Sequence, residues 1–218
     1  YNARGAVVHH NTDIWAMTHP VGHDLRGMAS CGFWNQGFGW LCRHLYEHYE
    51  YTLDKGFLRD RCLPMLTLAV QFYLDTLTEG EDGILMMPPS SSPENAFEYE
   101  GKVCHNTSMT AMSTAIIREV FSEYLKTVEI LQAQNHIDNN GNGKTEKCRV
   151  FDDMSERIVK ALAKLPSYKI GSRGQILEWD KEFKEHEALH RHISHLYALY
   201  PGRPENIYGS ICSNNQRC

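Results

Sequence analysis

The eight residues Pro88-Pro-Ser-Ser-Ser-Pro-Glu-Asn95 constrain this chain more than any other stretch. Three prolines and three serines cannot propagate a helix or occupy a central strand. Helical patterns lie on both sides, so the stretch reads as a rigid, irregular loop set between packed helices. It carries one carboxylate, Glu94, and Pro93 fixes the backbone just before it. Ile84, Leu85, Met86 and Met87 supply apolar surface upstream. A carboxyl group held among apolar side chains has its pKa raised, which suits a general acid working near neutral pH. The competing reading is a glutamate solvated on a surface loop.

Four helical patterns surround this loop, and a fifth follows. Trp34, Phe38, Leu41 and Leu45 step by four, three and four, so they share one face. Gly37 and Gly39 weaken that helix but permit close packing. After a turn at Thr52–Gly56, a second pattern places Leu58, Cys62, Met65, Ala69, Phe72 and Leu77 inward. Pro64 either kinks it or opens a new segment, and Glu79–Gly83 stops it. The third pattern is capped at Thr107-Ser108 and runs to about Gln134, with Met109, Met112, Ile116, Val120 and Val128 or Leu131 inward. The fourth opens at Asp152-Asp153, buries Met154, Ile158, Ala161, Leu162 and Leu165, and ends at Pro166. Ile170–Trp179 reads as a hairpin or loop, and His192–Tyr200 as a fifth helix ended by Pro201-Gly202. No β-α-β alternation is evident. The fold class is therefore all-α, either an α/α toroid or an irregular helical domain.

The first 32 residues are different. They hold His9, His10, Asn11, Thr12, Asp13, His19, His23 and Asp24 with few periodic apolar positions, as a long folded surface loop does. Twelve histidines is a high count. His190, His192 and His195 form H-x-H-x-x-H, and His44 and His48 lie four apart, spacings that permit metal ligation on a helix. Neither set has a clear third ligand, and neutral imidazoles serve equally well in hydrogen bonding. Asp138, Asn140, Asn142 and Gly143 imitate the start of a calcium loop, but Arg149 stands where its final glutamate belongs, so a solvated turn is expected. Accordingly no metal or other cofactor is assigned. His190-Arg191-His192 also suits sugar or anion recognition, because arginine offers a planar fork of donors and rings such as Trp34 and Trp179 can lie against a sugar. The alternative is Arg191 paired with Glu187 or Glu185 at the surface.

Composition narrows the partners. A formal charge of −5 argues against nucleic acid or an anionic membrane surface, and no apolar run reaches the roughly 18 residues of a membrane span. At 218 residues the chain is long enough for one large core. Its seven scattered cysteines form no C-x-x-C pair, which leans toward reduced thiols and a cytoplasmic setting. Tyr1 is not an initiator methionine, no signal-peptide pattern is visible, and residues 203–218 have no helical or strand period, so a fragment is expected.

Four strings then occur in order: His9-His10-Asn11-Thr12-Asp13-Ile14-Trp15, Ser90-Ser91-Ser92-Pro93-Glu94-Asn95, Ile117-Arg118-Glu119 and His190-Arg191-His192-Ile193-Ser194-His195-Leu196-Tyr197. Together they resemble the catalytic helical domain of glycoside hydrolase family 95, the α-L-fucosidase family, over about residues 1–202, leaving 203–218 as an irregular tail. The resemblance implies part of an (α/α)6 barrel that cleaves terminal α-1,2-linked L-fucose with inversion. It implies Glu94, of the S-P-E string, as the general acid. His10, Asn11, Asp13, Trp34, Arg191 and His192 are the candidates for substrate contact, and a fucosylated glycan is the expected partner. In the family an asparagine coupled to an aspartate activates water. Neither has a match here, and Asn11 and Asp13 do not take those roles. The family's W-P-M-G-type run reads Trp34-Asn35-Gln36-Gly37.

Inverting hydrolysis needs an acid and a water-activating group roughly 6.5–9.5 Å apart, so a chain with the acid alone is expected to be inactive by itself. Bare helix faces also invite aggregation. Two other functions fit the same sequence: a helical-toroid enzyme acting on another sugar such as α-L-galactose, and a histidine-rich metal-binding or interaction module.

Overall fold

The computed structural model describes residues 1–18, 32–138 and 146–203. Its long elements are helices: α1 (Gly37–Thr52), the short α2 (Lys55–Phe57), α3 (Leu63–Thr76), α4 (Ala111–Asp138) and α5 (Glu146–Lys164). Between α2 and α3, Leu58–Cys62 forms a π-helical turn in which Leu63 N–H donates to Leu58 O, five residues back. Pro64 follows at once. Its missing N–H and ring are accommodated by this change of register rather than by a break. Asp54 caps α2 by accepting the Phe57 N–H at 2.9 Å.

α4 is the central helix. It packs against α1, α3 and α5, and Ile116, Ile117, Val120, Phe121 and Tyr124 are fully buried. The expected inward residues Met109, Ile116, Val120 and Val128 are buried, as are Met154, Ile158, Ala161 and Leu165 of α5. The cap differs: Thr110, not Thr107-Ser108, accepts the Ser113 N–H at 3.1 Å. α5 opens at Glu146, ahead of the expected Asp152. α1 buries Gly39, Cys42, Tyr46 and Tyr49 most deeply; the expected Phe38 and Leu45 pack against the same core partly buried, and Leu41 is 40% exposed. The reason lies in Gly39. A Cβ there would stand 2.1 Å from Tyr73 Oη and 2.9 Å from Ile116 Cγ2, so only glycine lets α1 settle onto α3 and α4. Gly39→Ala is expected to cost about 1–3 kcal/mol through overpacking, although alanine is the better helix former. A urea midpoint at or above the parent's would show that Tyr73 can yield.

The described residues include seven short strands, which the all-α reading did not anticipate. β1 (Thr78–Glu79) pairs with β2 (Leu85–Met86), and β3 (Ser90–Ser91) with β6 (Asn106–Thr107). β4 (Phe97–Tyr99) lies between β5 (Lys102–Cys104) and β7 (Lys184–Glu185). All pairs are antiparallel, and none is longer than three residues. The expected fifth helix is absent: within His192–Tyr200 only Ser194–Leu196 forms a 3₁₀ turn. The Ile170–Trp179 loop closes as expected, with Gly171 N–H donating to Gln175 O at 2.8 Å and Ile170 bridging Ile176.

Beneath this segment the core holds charge. Arg43 Nη1 donates to Glu119 Oε1 at 2.8 Å, and Tyr197 Oη donates to Glu119 Oε2 at 2.6 Å. Arg203 donates to Glu50 and brings Nε to 3.8 Å from Glu123 Oε1. Neither oxygen of Glu123 has a hydrogen-bond partner, and burial, aided by Glu119, pushes its carboxyl up to about 9. Arg118 is turned the other way and donates to the carbonyls of Leu165 and Pro166, closing the end of α5. Among the described residues no helix is long and apolar enough to cross a membrane.

Candidate active site

The serines of the proline-rich loop are buried anchors. Ser90 Oγ shares a hydrogen bond with Ser113 Oγ at 2.7 Å, at the start of α4. Ser91 Oγ donates to Phe33 O at 3.3 Å, and Ser92 Oγ to Glu178 Oε1 at 2.6 Å. Asn35 Nδ2 donates to Pro89 O at 3.2 Å. Each buried hydroxyl ties the loop to a different neighbour. The loop is thus fixed, as the sequence indicates, but its base is buried rather than solvated.

Asn95 N–H donates to Ser92 O at 2.8 Å, closing a four-residue turn with Pro93 and Glu94 at its centre. The Pro93–Glu94 peptide is cis. Glu94, at the centre of the turn closed by Ser92 and Asn95, stands at its tip. Its expected apolar setting is not what the structure shows: Leu85 and Met86 pair in β2, and Met87 is sunk in the core. Polar groups face the carboxylate instead. Arg191 Nη2 donates to Oε2 at 2.6 Å, His192 Nδ1 lies 3.7 Å from Oε2, and His10 Nε2 lies 3.8 Å from Oε1. His192 Nδ1 also accepts the backbone N–H of Glu94 at 3.2 Å, which leaves any neutral-ring proton on Nε2. Arg191 pairs with Glu94 and not with Glu187 or Glu185; Glu185 is taken by Arg173.

The segment that presents Arg191 and His192 is a run of bends and short turns, and its side chains are tied at separate points. Ser194 Oγ donates to Pro93 O, and Tyr197 reaches Glu119. Burial and Glu119 hold the Tyr197 phenol far above its ordinary range, so it stays a donor. His195 leaves the group and points Nδ1 at Glu178 Oε2, 3.6 Å away. Among the described residues no set of three His, Cys, Asp or Glu side chains is arranged to hold a metal.

Of the expected contact residues, His10, Arg191 and His192 meet at Glu94, and Asn11 joins through a 2.7 Å hydrogen bond to His10 Nδ1. Asp13 does not join them. Its Oδ1 accepts the N–H groups of Trp15 and Met17, so it caps a local turn. Trp34 is 9% exposed and packed in the core, and Trp179 lies against Phe97 and Phe183, so neither ring offers the open face expected of a sugar platform. His19, His23, Asp24 and the calcium-like loop at 140–143 lie outside the described residues. Sequence reasoning missed Glu178, a buried carboxylate that receives both Ser92 and Asn95. Its one local signal is an acid inside the apolar run Ile176-Leu177-Glu178-Trp179.

A family model for the glycosyl hydrolase family 95 catalytic domain matches residues 1–210. The chain is 40% identical over 203 residues to alpha-L-fucosidase 2 of Arabidopsis thaliana, a match covering 93% of this chain and 22% of that protein. It is 30% identical over 187 residues to probable alpha-fucosidase A of Aspergillus niger, covering 81% and 20% respectively. The chain spans about a fifth of the length of these curated relatives.

Proposed function

As this chain belongs to glycosyl hydrolase family 95, a glycosidase family, we propose that it carries the acid side of an α-L-fucosidase site acting on terminal α-1,2-linked L-fucose with inversion. Its helices form part of an (α/α)6 barrel, and a fucosylated glycan is the substrate. The observation that carries this reading is Glu94, alone at the tip of a turn locked at its base, with Arg191, His192 and His10 converging on it. In the forward step Glu94 gives its proton to the glycosidic oxygen as the bond to fucose breaks, and is left as a carboxylate. The Arg191 ion pair matches that product state. Arg191 is 71% exposed, so its remaining donors are open to sugar hydroxyls. Water activation on the opposite face falls to groups outside this chain, and residues 1–218 alone release no fucose.

The test is product analysis. A polypeptide of the relatives' full length that carries this domain should release β-L-fucose first from a 2′-fucosyl oligosaccharide, seen by proton NMR before mutarotation. Initial α-fucose would overturn inversion, and cleavage of α-L-galactosides in preference to fucosides would overturn the sugar assignment. Arg191→Lys in that polypeptide should lower kcat/KM about tenfold, because one ammonium cannot replace a planar fork. An unchanged kcat/KM would make Arg191 a surface residue only.

A further inference from the structure

We infer that Glu178 is a positioning residue that aims the proposed acid. The inference rests on the reading of Glu94 given above. Glu178 is 7% exposed and lies 84 positions from the acid in sequence, yet it receives Ser92 Oγ at 2.6 Å and Asn95 Nδ2 at 3.0 Å. Those two residues are the ends of the turn whose centre is Pro93-Glu94. One carboxylate therefore clamps the turn at both feet. The clamp is itself held, because Glu178 O accepts the Ala111 N–H at 3.0 Å, where α4 begins, and Trp179 bridges Thr110. His195 approaches the same carboxylate and shares with it the wall of a cavity of about 180 Å³. Nothing in this set touches Glu94's own oxygens. Its contribution is geometric: a 1 Å displacement of a reacting group can cost about 10²-fold in rate.

The two oxygens of one carboxylate can accept from both feet at once. A glutamine offers one acceptor oxygen, for Asn95 Nδ2, while its NH₂ would face Ser92 Oγ, so the Ser92 hydroxyl must turn from donor to acceptor and both charge-assisted bonds are lost. In the full-length polypeptide, Glu178→Gln should lower kcat on a 2′-fucosyl oligosaccharide by about 10- to 100-fold and move KM less than about threefold. The deciding readout is leaving-group dependence. A misaimed acid harms substrates that need protonation, so the loss should shrink to within about threefold on an aryl fucoside with an acidic phenol. A merely structural defect lowers both substrates equally, and that result, or no loss at all, would overturn the inference. Ser92→Ala removes one foot and leaves Glu178 in place. It should show a weaker form of the same pattern, and it decides the matter should Glu178→Gln fail to fold. Glu94→Gln run alongside separates the two readings. If Glu94→Gln shows the leaving-group signature and the Glu178 and Ser92 variants do not, only the positioning role fails. If Glu94→Gln is also like the parent, the acid assignment fails with it.

Discussion

Replacing Glu94 with glutamine in the full-length polypeptide should reduce hydrolysis of a natural fucosyl oligosaccharide by about 10²- to 10⁴-fold, the range general-acid assistance supplies. The amide keeps the side chain's size and can still face Arg191, His192 and His10, but it has no proton to give the leaving oxygen. Binding should change far less than turnover, since the neighbours that would hold a sugar remain. An activated aryl substrate should lose much less, because a phenolate departs without protonation. One complication comes from Arg191, whose Nη2 now faces Glu94 Oε2 at 2.6 Å. A glutamine can turn its oxygen toward that donor, so the ion pair becomes an ordinary hydrogen bond and the loop should keep its shape. Near-parental rates on the oligosaccharide would remove Glu94 from the acid role.

What the sequence reveals about this site depends on distance along the chain. Arg191 and His192 were legible because they stand in one short string of unusual composition. Glu94 was legible because prolines isolate it. Glu178 was not, since its partners Ser92 and Asn95 lie 86 and 83 positions away and nothing local distinguishes it from a surface acid. The helices divide the same way. α3, α4 and α5 follow the apolar period, whereas α1 is apolar on more than one side. There the contact face was set by Gly39 and the bulk of Tyr73, quantities that periodicity does not weigh. The expected helix at His192–Tyr200 gave way because Ser194 is drawn to Pro93 and Tyr197 to Glu119. Two such anchors outweigh a few tenths of a kcal/mol per residue of helix propensity. Trp34 and Trp179 were offered from residue type alone as rings able to lie against a sugar, and residue type does not reveal that both are buried.

The second large effect concerns stability and comes from Glu123. Its carboxyl is buried, its oxygens lack hydrogen-bond donors, and Glu119 stands near enough to repel its charge; Arg203, Arg43 and Glu50 are the other charges that act on it. The folded chain therefore keeps this proton up to about pH 9, while the unfolded chain releases it in the ordinary carboxylate range. Between those limits the folded state holds more protons than the unfolded state, so stability falls as pH rises. The slope has a ceiling of about 1.4 kcal/mol per pH unit, or about 3 kcal/mol from pH 6 to pH 8. Cys42 and Cys62, which also feel this charge, are pushed by burial above the window and stay silent within it. Glu123→Gln mimics the protonated acid and has nothing to lose. The variant's Tm advantage should grow steadily with pH and be larger at pH 8 than at pH 6 by up to roughly 6–12 °C for a chain of this size. Comparing the two proteins at each pH cancels the histidines and surface groups they share. A Tm difference that stays constant from pH 5 to pH 8 would mean that Glu123 is ionised in the core and that Arg203, at 3.8 Å, compensates it fully.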